Sequence, residues 1–256
     1  MISLKAIISS LLIGFNLIHN PTGLTAEQSF QIFTDAYNKQ FKKCDPRFDD
    51  YLQHPDILKK ILFEVLNERT HTYRLLHGQE LYTEQPSNIF LLSDDEIKHL
   101  IPILKAIPKR EFMGVIQAAK VADIYDKNTE WGGELEFDKQ CDVTVRFSPT
   151  RSELSLEKDG AYLRASDLSK LHIAAFHFHR TRPFSGPSST DLRVCEGRVK
   201  KQGYCYNMVI TPLEHAVQTG GEVEPKRHLN FDFYSLDLNN SKRGVVVIDL
   251  GTYLNH

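Results

Sequence analysis

The chain has 256 residues, with 31 Lys and Arg against 33 Asp and Glu, for a formal net charge of −2. Its 41% hydrophobic and 25% charged content is that of a globular protein able to bury a sizeable core, as one large domain or as a domain with an accessory region. Near-neutral charge leaves no electrostatic footprint for nucleic acid and none for a polybasic membrane-surface binder.

The first residues, MISLKAIISSLLIGFNLI, carry one early lysine, Lys5, and then an apolar run from Ala6 to Ile18. That run is shorter than the roughly 20 residues a spanning helix needs. With small residues near Ala26, residues 1–26 read as a secretory signal peptide cut after Ala26. The mature protein is then exported, periplasmic or secreted, and holds no membrane segment. Residues 27–108 read as a helical N-terminal region. Thr25 and Gln28 have capping-box spacing ahead of SFQIFTDAYNKQF, where Phe30, Ile32, Phe33, Tyr37 and Phe41 fall mostly on one face. HPDILKKILFEVLNERT predicts a second helix with proline in its first turn, and its stripe Ile57, Leu58, Ile61, Leu62 and Val65 predicts core. Residues 78–92 read as a loop. Ser93 and Glu96 open SDDEIKHLIPILKAIP with another capping-box pair, and Pro102 stands in or near that helix. REFMGVIQAAKVADIYDKN predicts a longer helix that stops before TEWGG.

After Thr129 the pattern changes to short strands: WGGELEF, CDVTVRFS, SELSLEK and AYLRAS, the last two joined by an Asp159-Gly160 turn. HIAAFHFH is an apolar-rich strand that ends in a histidine pair. YCYNMVITP, LNFDFYSLD and GVVVIDLG complete the strands, with NNSKRG as a hairpin loop. Helices first and a mixed sheet after predict an α+β (or α/β) fold, with residues 109–256 as the sheet domain and its flanking helices.

Four cysteines, Cys44, Cys141, Cys195 and Cys205, in an exported chain imply two disulfides with three possible pairings. EGRVKKQGY, between Cys195 and Cys205, reads as a loop with two glycines and a solvated VKK. It favours the local pair Cys195–Cys205, which leaves Cys44 for Cys141. No CxxC spacing exists, which argues against a four-cysteine zinc site.

The chemistry concentrates in HFHRTRPFSGPSSTDL, residues 177–192. Side chains at i and i+2 of a strand share a face, so His177 and His179 can converge on one ion. Asp191, across the Gly-Pro-Ser turn, supplies a third donor. Two nitrogens and one carboxylate oxygen leave the fourth tetrahedral position open, the arrangement of a catalytic site holding one zinc ion. A proton acceptor for the attacking water is available upstream in NTEWGGELEF. There Glu130 precedes Gly132 and Gly133, which permit close approach of a backbone or substrate. Ser188 is placed to donate to a developing oxyanion. Glu134 and Glu136 replace Glu130 if the register differs. His172 reads as a strand-start or surface residue, Trp131 as core or groove wall, and Arg180 and Arg182 as solvated loop arginines.

These residues resemble the pattern of the JAMM (MPN-plus) zinc metalloproteases. That pattern is a glutamate in E-x-x-G-x-L, a later H-x-H, then S-x-x-D. Glu130-Trp-Gly-Gly133-Glu-Leu135 fits the first part, His177-Phe-His179 the second and Ser188-Ser-Thr-Asp191 the third. The resemblance spans roughly residues 109–255 and implies that His177, His179 and Asp191 ligate zinc, Glu130 is the acid/base and Ser188 the oxyanion donor. Two departures stand out. Eight residues, Arg180 to Pro187, separate the second histidine from the serine where the family usually has seven, and Arg180 stands where the family usually has proline. The implied function is an exported zinc hydrolase that cleaves a peptide or isopeptide amide bond in a peptide or protein substrate. The alternative is a catalytically inactive MPN-like binding or scaffold protein, which the shifted spacing keeps open.

Overall fold

The structure, a computed structural model, describes residues 25–45, 53–77, 86–125, 131–148, 172–179, 186–219 and 222–254. Within these, residues 68–77, 86–87, 121–125, 148, 213–228 and 254 are described by their backbone alone. The apolar N-terminal run, Asp159-Gly160, Arg180, Arg182 and Glu130 lie outside the described residues, as do the side chains of His215 and His228.

Both capping boxes form. Helix α1, Ala26–Cys44, starts at Thr25, whose side chain accepts from the Gln28 amide while Gln28 Oε1 accepts from the Thr25 amide at 2.9 Å. Such a cap stabilises a helix by about 1 kcal/mol. A cut after Ala26 would remove it. Phe30, Phe33, Tyr37 and Phe41 are buried at helical spacing, whereas Ile32 falls off that face and is exposed. Helix α2, Pro55–His77, buries Leu58, Leu62 and Leu66. Ile57, Ile61 and Val65 instead face solvent, so three of the five residues of the expected core stripe are not core. Neighbouring residues on a helix are 100° apart. Two adjacent columns therefore subtend more than the one face that α2 turns toward the rest of the fold.

Residues 86–91 are not loop but a 3-10 helix, Pro86–Leu91, with Ile89 and Leu92 fully buried at the i, i+3 spacing such a turn presents. Helix α3, Asp94–Ala106, is capped by Ser93 and Glu96 and contains Pro102. Its N-terminus is tied to the far end of the sheet by buried polar groups. Glu96 accepts from the Ser93 amide at 2.7 Å, from Ser235 Oγ at 2.9 Å and from the Arg243 guanidinium. Asp237 accepts from Ser93 Oγ and, at 3.2 Å, from the Asn240 amide. Carboxylates are tolerated without water only when bonded in this way. Helix α4, Arg110–Tyr125, completes the N-terminal half.

Among the described residues six strands follow: β1 Gly132–Phe137, β2 Val143–Ser148, β3 His172–Phe178, β4 Tyr204–Thr219, β5 Glu222–Asp237 and β6 Val246–Leu254. They form one mixed sheet in the order β2-β1-β3-β4-β5-β6, antiparallel everywhere except β3 with β4. The fold is α+β. The parallel pair requires a crossover, which helix α5, Ser189–Gln202, supplies. Its second half, residues 196–202, falls in the segment EGRVKKQGY that reads as loop in the sequence. Its signals are local: Ser188 and Asp191 form a capping box at the start, and Gly203 closes the end with φ 90°, a left-handed conformation that favours glycine. Val199 is buried, not part of a solvated loop.

Alternation splits the sheet into two faces. On one, α5 packs Cys195 and Val199 against Cys205, Val209, Tyr234, Leu236 and Val247. On the other, Phe176, Phe178, Tyr206, Met208, Phe231 and Phe233 share a core with the helices of the N-terminal region. Aromatic stacking joins those layers. His99 lies between Tyr37 and Tyr206 with ring centroids 3.8 and 3.9 Å away. Its Nδ1 stands 2.6 Å from the Ile173 carbonyl, to which it donates. Burial holds the His99 imidazole well below its usual pKa, so it sits in the stack uncharged.

Cys44 pairs with Cys141 and Cys195 with Cys205, at Cα separations of 5.1 and 5.4 Å. The first ties the end of α1 to the β1–β2 turn; the second ties α5 to β4. Two disulfides and no free cysteine suit an oxidising compartment. No described helix is long and apolar enough to cross a membrane.

Candidate metal centre

The parallel β3–α5–β4 unit brings the two ends of HFHRTRPFSGPSSTDL together. His177 is inside the ladder, opposite Gly132 of β1 and Val209 of β4. His179 follows the last residue of β3, and its amide donates to the Ile210 carbonyl at 2.9 Å. Both rings leave the face that α5 covers, as the period of two requires. Asp191 approaches from the first turn of α5. A carboxylate there is favoured by the positive end of the helix dipole.

Three side chains converge. His177 Nε2 and His179 Nε2 are 3.2 Å apart; His177 Nε2 is 3.3 Å from Asp191 Oδ1; His179 Nε2 is 3.2 Å from Asp191 Oδ2. Donors about 2.0–2.1 Å from a tetrahedral ion stand about 3.3–3.4 Å from one another. The nitrogen–nitrogen contact and the two nitrogen–oxygen contacts, one to each Asp191 oxygen, are of that size, so the two rings and the carboxylate face a common point. The side chain of His179 is 2% exposed, while His177 and Asp191 retain 13% and 18%. The open side of the cluster thus lies toward His177 and Asp191. Imidazole nitrogen and carboxylate oxygen suit zinc as well as several other divalent ions.

Ser188 is held against this cluster. Its amide and its hydroxyl each donate to Asp191 Oδ2 at 2.7 Å, and the Asp191 amide returns a bond to Ser188 Oγ at 3.3 Å. Burial raises the Asp191 pKa, but the imidazole N–H groups of His177 and His179 and the Ser188 hydroxyl outweigh it and hold the carboxyl well below the usual range. Asp191 is thereby kept an anion facing the cluster.

Glu134 is engaged elsewhere. It is buried, accepts from Arg146 Nε at 2.7 Å and from Arg146 Nη2, and lies 3.5 Å from His172 Nδ1. His172 is accordingly interior, not a surface residue, and burial lowers its pKa. A bulge between Leu135 and Glu136 in the β1–β3 pairing brings His172 to this carboxylate. Gly133 permits the close approach of another backbone, as expected: a Cβ there would run into the Arg146 carbonyl and the Phe176 ring. Trp131 is part-buried against the core and lines an open groove with Phe147 and Val115. Its carbonyl accepts from the Phe178 amide at 2.8 Å, which places residue 131 beside the end of the histidine strand.

The motif reading did not single out Lys120. It is buried on α4, and its Nζ donates to the His179 carbonyl at 3.3 Å. Its only sequence signal is a lysine within the apolar stretch IQAAKVADI.

Fold and site together define an α+β protein with a two-histidine, one-aspartate group able to hold a metal ion. Compared with models of known protein families, with curated proteins and with solved structures, the chain has no match.

Proposed function

We propose that this protein is an exported, zinc-dependent hydrolase that cleaves a peptide or isopeptide amide bond, organised as in the JAMM proteases. The observation that carries the reading is the convergence of His177, His179 and Asp191, whose ring nitrogens lie 3.2 Å apart and each 3.2–3.3 Å from one Asp191 oxygen, with one side left partly open. Zinc, when bound, supplies Lewis acidity that polarises a carbonyl and acidifies water. The chain's own residues supply the rest. His179 is fixed by the hydrogen bond its amide donates to the Ile210 carbonyl, and Asp191 is oriented by Ser188. Glu130 accepts a proton from the attacking water and returns it to the leaving amine. The support for that role is its position one residue before Trp131, whose carbonyl is bonded to Phe178 at the end of the histidine strand.

One observation favours the non-catalytic reading of the same site. The Ser188 hydroxyl donates to Asp191, which commits the group that the resemblance assigns to the oxyanion. Metal analysis of the purified protein and turnover of a peptide library, for wild type and Glu130→Gln, separate the two. The hydrolase reading expects about one zinc per chain in both proteins and cleavage by wild type alone. Cleavage by Glu130→Gln would remove Glu130 from the mechanism. Bound zinc without cleavage by wild type would favour a binding role.

A further inference from the structure

We propose that Lys120 is a positioning residue for the metal centre and holds His179 in the orientation that His177 and Asp191 require. The proposal rests on the reading of these three residues as metal ligands.

Lysine is rarely buried unless its amine is paired. Lys120 is 7% exposed and reaches from α4, which packs with the aromatic core, to the backbone of the strand that bears the histidines. Its Nζ donates to the His179 carbonyl at 3.3 Å and stands 5.5 Å from the centroid of the Phe178 ring. The contact falls where the sheet no longer helps. Strand β3 ends at Phe178, so the His179 carbonyl lies beyond the strand. The His179 amide is held by Ile210 and its carbonyl by Lys120. Together these bonds orient the peptide planes on both sides of the His179 Cα, and with them the direction in which the ring leaves the chain. His177, between β1 and β4, has ladder on both sides and needs no such support. Outer partners that orient metal ligands typically change metal affinity by about 10–100-fold when removed.

Lys120→Met keeps the length of the side chain and removes the donor. Zinc affinity is measured by chelator competition on the metal-free, disulfide-intact protein, and the visible spectrum is recorded with Co2+ in place of zinc. The expected result is a zinc Kd raised about 10–100-fold, an altered Co2+ spectrum and a far-UV circular dichroism spectrum like that of wild type. Lys120→Arg restores a donor and is expected to recover most of the affinity. Equal zinc affinity and equal Co2+ spectra in wild type and Lys120→Met would overturn the proposal. So would a loss of affinity that Lys120→Arg does not recover, since that would assign Lys120 to packing alone. If Lys120→Met does not fold, Lys120→Leu, which also lacks a donor, is compared with Lys120→Arg. Affinity that is unchanged in Lys120→Leu would equally overturn the role. A wild-type protein that binds no metal sinks the proposed function and this inference with it, whereas metal-binding wild type with unaffected Lys120 variants sinks this inference alone.

Discussion

Asp237 should make the protein less stable at neutral pH than at mildly acidic pH, and Asp237→Asn should abolish that effect. Burial and the nearby Glu96 carboxylate raise its pKa from 3.8 to about 6, although Ser93 donates to it. Between those values the folded state holds a proton that the unfolded state has lost. Stability from this group is therefore greatest at low pH and declines as pH rises through about 4 to 6. A shift of about two units corresponds to roughly 3 kcal/mol, an upper figure because Glu96 shares the charge. Asparagine preserves the acceptor for the Asn240 amide and can donate to Ser93 Oγ. Urea unfolding of metal-free wild type and Asp237→Asn, from pH 4.5 to 8, tests this. About a third of the loss has already occurred by pH 4.5, so between pH 4.5 and 7.5 the variant should gain up to about 2 kcal/mol on wild type. Buried His99 and His172, whose pKa values burial lowers, have the opposite sign: they make stability rise with pH below about 6.5. They are present in both proteins and cancel in the difference. A difference curve that stays flat across this range would refute the assignment of the cost to Asp237.

The two disulfides should differ in weight. The loop-entropy relation gives about 4.7 kcal/mol for Cys44–Cys141, 97 residues apart, and about 2.7 kcal/mol for Cys195–Cys205, 10 apart. Paired serine substitutions followed by denaturant unfolding should show the larger loss at the first pair; the reverse order would contradict the estimate. Ser188→Ala removes a helix cap and an orienting donor to Asp191. It should lower stability by about 1 kcal/mol and weaken zinc binding about 10–100-fold in chelator competition. Unchanged zinc affinity with slowed turnover would instead support the oxyanion role that the JAMM resemblance implies.

Local chemistry wrote much of this protein into its sequence. The capping boxes at Thr25 and Ser93 mark helix starts because the satisfied amides lie within three residues of the cap. The histidines of HFH share a face because a strand has a period of two. The four cysteines paired as read, although EGRVKKQGY is mostly helix rather than loop. A helix brings its end back to the following strand as readily as a loop does, so the pairing did not depend on the element. What the sequence left open are interactions between segments far apart in the chain. Ile57 and Leu58 are equally apolar, and only the packing of α2 decides which is covered. Glu134 and Glu130 are both acids near one glycine pair, and only the sheet register commits Glu134 to Arg146 and His172. Lys120 meets His179 across 59 residues, where no local pattern links a lysine to a carbonyl. The sequence by itself names which donor types are present and where helices begin. Distances between donors, and which charged groups lose their water, are set by how the sheet and helices pack, because both depend on neighbours that the chain brings together only on folding.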